Sequence, residues 1–157
     1  MTKLIVAVLA VSMVVSAQQA DPSHDAVNSR GDVAMGFSHS QTTHHFVLRT
    51  YGGDIDVSAN DPNDSSSRDH IRHHLSMIKK KFSAGDFTDP MFIHGRVPPG
   101  VNAMKAGRVT YEYSPTPSGA RLKISSNNQK TISAIHDFLK FQIADHQTGD
   151  PTTVQLK

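Results

Sequence analysis

The sequence predicts an α+β fold, a two-layer sandwich in which an antiparallel sheet carries two helices on one face. Three observations support this. Two segments alternate apolar and polar residues on either side of Gly- or Pro-containing turns. Each then runs into a segment with apolar residues every three or four positions. The length of 157 residues suits one domain, and its 37% hydrophobic content is enough for one core.

The first strand signal is Thr43-His44-His45-Phe46-Val47-Leu48-Arg49, and Ile55-Asp56-Val57-Ser58 provides its partner, so a hairpin turning at Gly52-Gly53 is expected. Asn60 to Ser65 interrupts the alternation and offers helix N-caps. Ile71, Leu75, Ile78 and Phe82 then fall on one face of a helix, which Gly85 ends. Residues 87–104 contain Pro90, Pro98, Pro99 and Gly100 and read as a short strand or extended segment bracketed by turns. Arg108 to Tyr113 and Arg121 to Ser125 form a second hairpin around Pro115 to Gly119. Asn127 or Asn128 caps a second helix, whose stripe is Ile132, Ile135, Leu139 and Ile143 and which stops before Gly149-Asp150-Pro151. Gly53 to Asn60 and Ala120 to Asn127 share a pattern, which suggests a ββα unit used twice. The domain is expected over residues 36–150, with a polar tail at 151–157.

At the N-terminus, Lys3 precedes the apolar run Leu4 to Val15, and Val15-Ser16-Ala17 offers small residues to a signal peptidase. Residues 1–17 therefore read as an export signal, which predicts a bacterial periplasmic or secreted protein with no membrane segment after its removal. Residues 18–35 are polar and aperiodic and read as a disordered lead-in, with His24 solvated. There is no cysteine, so disulfides, thiolate zinc sites, iron–sulfur clusters and cysteine nucleophiles are excluded. The pI is about 9.0, yet Lys+Arg number 16 against 14 Asp+Glu, and nucleic-acid binding is not expected.

The ten histidines are the chemical signal. On the first strand His44 shares a face with Phe46 and Leu48, whereas His45 shares the other with Val47 and Arg49. On the first helix His74 sits at the edge of the apolar stripe, His70 is one turn earlier, and His73 points to water. On the second helix His136 lies at the stripe's edge and His146 continues the stripe; His94 follows an apolar triplet in the irregular middle. Neutral imidazole is the commonest protein ligand for zinc, copper and haem iron. The expectation is therefore a transition-metal (copper or zinc) or haem site built from His44, His74, His94 and His136, with Met91 or Met104 as soft ligands. Whether His45 and His146 join it stays open.

Two other readings remain. A small enzyme would use a His/carboxylate acid–base pair, but in His136-Asp137 and Asp145-His146 the neighbours point about 100° apart on a helix, which turns both aspartates toward the solvated face. No Gly-x-Ser-x-Gly, His-Glu-x-x-His or Gly-x-x-x-x-Gly-Lys motif occurs. A cell-envelope interaction module would use the open sheet face with His45 and Arg49. Lys79-Lys80-Lys81 reads as a solvated helix end. Phe141 lies opposite the second stripe, covered by the tail or by the Phe92 segment, or forming a homodimer contact.

The segments Met35-Gly36-Phe37, Thr43-His44-His45-Phe46, Ala59-Asn60-Asp61-Pro62, Ile71-Arg72-x-His74-Leu75, Pro90-Met91-Phe92-Ile93-His94, Pro99-Gly100-Val101 and Ala134-Ile135-His136-x-Phe138-Leu139-x-Phe141-Gln142-Ile143-x-Asp145-His146 resemble a family of small exported bacterial proteins of unknown function. The resemblance spans residues 35–150. It singles out His44, His45, His74, His94, His136 and His146 and omits His39, His70 and His73, which favours a site assembled from different segments over the His70/His74 pair. Some members of that family carry an aspartate carbamoyltransferase label, which this chain does not support, since it lacks a Ser-x-Arg-Thr-Arg carbamoyl-phosphate loop.

Overall fold

The computed structural model describes residues 22–156, so the expected signal peptide at 1–17 lies outside the described residues. The elements are α1 (Pro22–Met35), β1 (Thr42–Arg49), β2 (Gly52–Ala59), α2 (Ser65–Ser83), α3 (Thr88–His94), α4 (Val101–Ala106), β3 (Thr110–Pro115), β4 (Gly119–Ser125) and α5 (Gln129–His146). The four strands form one antiparallel sheet in the order β1-β2-β4-β3. The fold is α+β, as the hairpin and helix patterns indicate.

Strand alternation decides which face is covered. Phe46, Leu48, Ile55, Val57, Ala120, Leu122 and Ile124 are buried on one side of the sheet, and the register stacks Phe46 beside Ile55 and Ile55 beside Leu122. Both long helices cover that side. Asp64 caps α2, its carboxylate accepting the Ser67 N–H at 2.9 Å, and Ile71, Leu75, Ile78 and Phe82 are all buried. Asn128 caps α5, whose Ile132, Ile135, Leu139 and Ile143 are buried together with Phe138. Each ββα unit interlocks with the other, because α2 packs mainly on β3 and β4 while α5 packs on β1 and β2. Among the described residues no helix is long and apolar enough to cross a membrane.

Two local expectations are corrected. Arg49 pairs with Gly52, so the first hairpin turns at Thr50-Tyr51 and the two glycines open β2. They are glycines for packing reasons: a Cβ on Gly52, whose φ is +136°, would meet the Ile124 carbonyl, and one on Gly53 would collide with the Leu139 side chain and the Val47 carbonyl. Residues 87–104 hold no strand and contain two short helices, α3 and α4, ended and begun by left-handed Gly95 and Gly100. Pro90 falls in the first turn of α3, where its missing N–H costs nothing, and a Cβ on Gly100 would strike the Ala134 carbonyl of α5.

The lead-in is corrected as well. Of the lead-in expected at 18–35, residues 18–21 lie outside the described residues and 22–35 form helix α1, which packs on α3 and α5. Its sequence shows little apolar periodicity because, among its described side chains, only Val27 and Gly31 are buried; polar side chains hold it instead. Arg30 Nε donates to the Ile93 carbonyl at 2.6 Å, and His24, expected in solvent, bonds the Asp145 carbonyl and Asn28. The polar tail is docked too: the Asp150 carboxylate accepts the Phe46 N–H at 2.9 Å, and the Gln155 N–H donates to the Leu48 carbonyl at 2.8 Å, which covers the outer edge of β1.

Gly53→Ala forces a methyl between β1 and α5 and is expected to destabilise the fold by about 1–3 kcal/mol, read as a lower urea midpoint. An unchanged midpoint would refute the close helix–sheet approach.

Candidate functional site

The two long helices leave a gap above the sheet, and four histidines from four elements face it. His44 comes from β1, His74 from α2, His94 from α3 and His146 from the end of α5. They line a cavity of about 70 Å³ whose remaining walls are mostly apolar, among them Phe46, Ile78 and Phe138. Met35 of α1 and Gln142 of α5 complete it.

The rings are close. His94 and His146 have centroids 5.1 Å apart at 82°, and His44 and His146 lie 6.2 Å apart with planes at 3°. Phe37 packs against His44 and against His74 at 6.1 and 5.8 Å. Desolvation by burial is the main reason that His44, His74 and His146 titrate low, to about 4, 4 and 3. Neighbouring imidazoles add to this, His74 acting on His44, and His94 then His44 on His146; at His74 the Asp89 carboxylate opposes the shift. All three rings are therefore neutral at pH 7.

His94 is held differently. Its side chain is 1% exposed, its Nδ1 donates to Asp145 Oδ2 at 2.5 Å, and its Nε2 lies 3.0 Å from Gln142 Oε1. Asp145 also accepts from Arg96 at 3.1 Å. The other amide atom, Gln142 Nε2, is buried with no hydrogen-bond partner among the described residues. With Nδ1 donating, Nε2 of a neutral His94 ring is an acceptor and is matched by the Gln142 amide N–H once the amide is turned over, which leaves its oxygen as the atom without a partner.

Of the four predicted metal ligands, the structure brings His44, His74 and His94 to one cavity and leaves His136 out. His136 Nε2 donates to the Arg49 carbonyl at 2.8 Å, which ties α5 to the first hairpin. It lies at the edge of the α5 stripe, but the cavity is at the C-terminal end of that helix, where His146 takes its place. The soft-ligand expectation is corrected too. Met91 is exposed and Met104 is packed in the core, and neither lines the cavity. Asp145, expected on the solvated face, pairs with His94 across 51 residues of chain. Sequence reasoning also missed Gln142, although a polar residue between Leu139 and His146 on a buried helical face was a legible signal. Met35 carried none, because its helix lacks periodicity.

The open sheet face is occupied by its own charges. His45 Nδ1 donates to Asp150 at 2.8 Å, Arg49 pairs with Asp54 at 3.0 Å, and Arg121 forks onto Asp56. It is not the flat apolar face an interaction module would present. Phe141 is covered by the segment after Phe92: the His94 ring stands 4.8 Å from it and the Arg96 guanidinium 4.7 Å above it. Lys81 is not free at its helix end but pairs with Asp89 of α3 at 2.6 Å.

Among the described residues no three His, Asp or Glu side chains stand ready to hold one ion as they are placed. No family model, curated protein or solved structure matches the chain.

The three low-titrating rings make stability depend on pH. Between the ordinary histidine pKa of 6.5 and the folded values of about 3–4, the unfolded chain binds protons that the folded one refuses. Stability present above pH 6.5 is expected to fall as pH drops through that window. Urea unfolding at pH 7 and pH 5 checks this; His44→Gln should flatten the difference, and equal midpoints for the native chain at the two pH values would refute it.

Proposed function

We propose that the chain binds a transition-metal ion, zinc or copper(I), through His94, His146 and His44, with His74 on the cavity wall. The observation that carries this reading is the ring spacing. Two imidazoles sharing one ion at about 2.0–2.1 Å per bond have centroids about 5–6 Å apart; the His94–His146 pair meets this at 5.1 Å, whereas His44 and His146, 6.2 Å apart with planes 3° from parallel, have to turn and draw closer. The ring nitrogens of His44 and His146 make no hydrogen bond among the described residues, and a ligand must be neutral to bind. The carboxylate of Asp145 behind His94 is the partner that metal-bound histidines commonly have, since it orients the ring and makes its other nitrogen a better donor. Ion binding requires small side-chain turns, above all release of His94 Nε2 from Gln142. Haem is not supported, because a cavity of about 70 Å³ is well below the roughly 300–1,000 Å³ of ordinary small-molecule sites. The export reading places this work in the periplasm or outside the cell.

Zinc and copper(I) titrations of the purified chain are expected to show one tight equivalent, lost in His94→Ala and His146→Ala and retained in His136→Ala. Asp145→Asn should weaken it by about 10–100-fold. Failure of the native chain to take up either ion would sink the reading.

A second reading rests on a different observation, the His94–Asp145 pair beside the cavity, which is the arrangement of an acid–base couple. Gln142 covers the nitrogen that would face a substrate, so this reading ranks lower. Under it, a screen of chromogenic esters and phosphoesters yields turnover that His94→Gln removes; equal rates in the variant and the native chain would rule it out.

A further inference from the structure

The histidines of the cavity are backed by a second, outer cavity of about 230 Å³, formed where α1 crosses β1 and the end of α5. His44, His146 and Met35 line both spaces and form the partition between them. On the outer side stand His24 and His39. These two are not equivalent. His24 spends both ring nitrogens inside the protein, on the Asp145 carbonyl and on Asn28. His39, on the turn His39–Gln41 that precedes β1, has its Nδ1 held by both oxygens of the Asp32 carboxylate at 2.9 and 3.0 Å, while its own backbone N–H donates to the same group at 2.7 Å. Its Nε2 makes no hydrogen bond among the described residues, and the side chain is 44% exposed. This is a ring oriented by a carboxylate, with a free nitrogen at the mouth of a space that ends on two half-buried imidazoles.

We infer that His39 is the capture ligand for the metal ion, taking it from solvent and passing it by ligand exchange to His146 and His44 through the outer cavity. The inference rests on the metal-binding reading above. Asp32 does two things in it: it presents Nε2 outward, and its negative charge raises the local cation concentration. Helix α1, which supplies both Asp32 and the partition residue Met35, is then part of the route. No redox change is involved; each exchange forms one metal–nitrogen bond and breaks another.

The test follows zinc uptake by stopped flow against a chromophoric chelator, using the full chain and the variants His39→Gln and Asp32→Asn. Both are expected to slow loading by about tenfold, and chelator-driven release to slow in step, so that equilibrium affinity is preserved. Unfolding midpoints equal to the native chain's confirm that both variants are folded. Loading at the native rate in both overturns the inference. So does a loss of equilibrium affinity with unchanged loading, which would make His39 a ligand of the final site. A native chain that takes up no zinc or copper(I) overturns the metal-binding reading itself, and this inference with it.

Discussion

A four-stranded sheet with one apolar face needs more cover than two helices provide. In this protein α2 lies over β3 and β4 while α5 lies over β1 and β2, and the apolar face continues between them through Phe46, Ile55 and Val57. The closing pieces are short: α3 roofs the gap, and Met35 at the end of α1 plugs its side. The short helix α3, ended by Gly95, brings His94 to the seam, where it meets His44, His74 and His146 from β1, α2 and α5. The cavity is a consequence of how the sheet is covered.

That origin explains the electrostatics. Imidazoles in the seam have lost water without gaining carboxylate partners, and burial holds His44, His74 and His146 neutral. His94 alone has a carboxylate, and Asp145 in turn is shared with Arg96. Neutral rings around a mostly apolar cavity are costly for a fold that needs only packing, and the unpartnered Gln142 amide adds to that cost. The metal binding proposed above would supply a partner at the same place.

Much of the architecture was legible in the residues. The stripes of α2 and α5, their Asp64 and Asn128 caps, the two hairpins and the polar open face all follow from local periodicity, because each element buries one face against one neighbour. Within the site, His44 and His74 could be placed on inward or edge positions from strand alternation and helical angle alone. Where the reading failed, the interactions were long-range. Helix α1 is held by Arg30 on Ile93 and His24 on Asp145, contacts that leave no periodic trace. The turn at Thr50-Tyr51 and the glycines after it depend on the approach of Leu139 and Ile124.

Local pattern settles which faces are apolar and how many layers pack, and composition makes this a histidine-rich chain without cysteine. Which histidines meet depends on how the elements cross in space. The choice between His136 and His146 is a question of where along α5 the cover of the sheet opens, and that depends on where α3 lands. The pairing of His94 with Asp145 joins residues 51 positions apart, across a gap whose position no local pattern encodes. Periodicity reports the side of an element that is buried; the meeting of side chains from four elements is settled by how those elements cross.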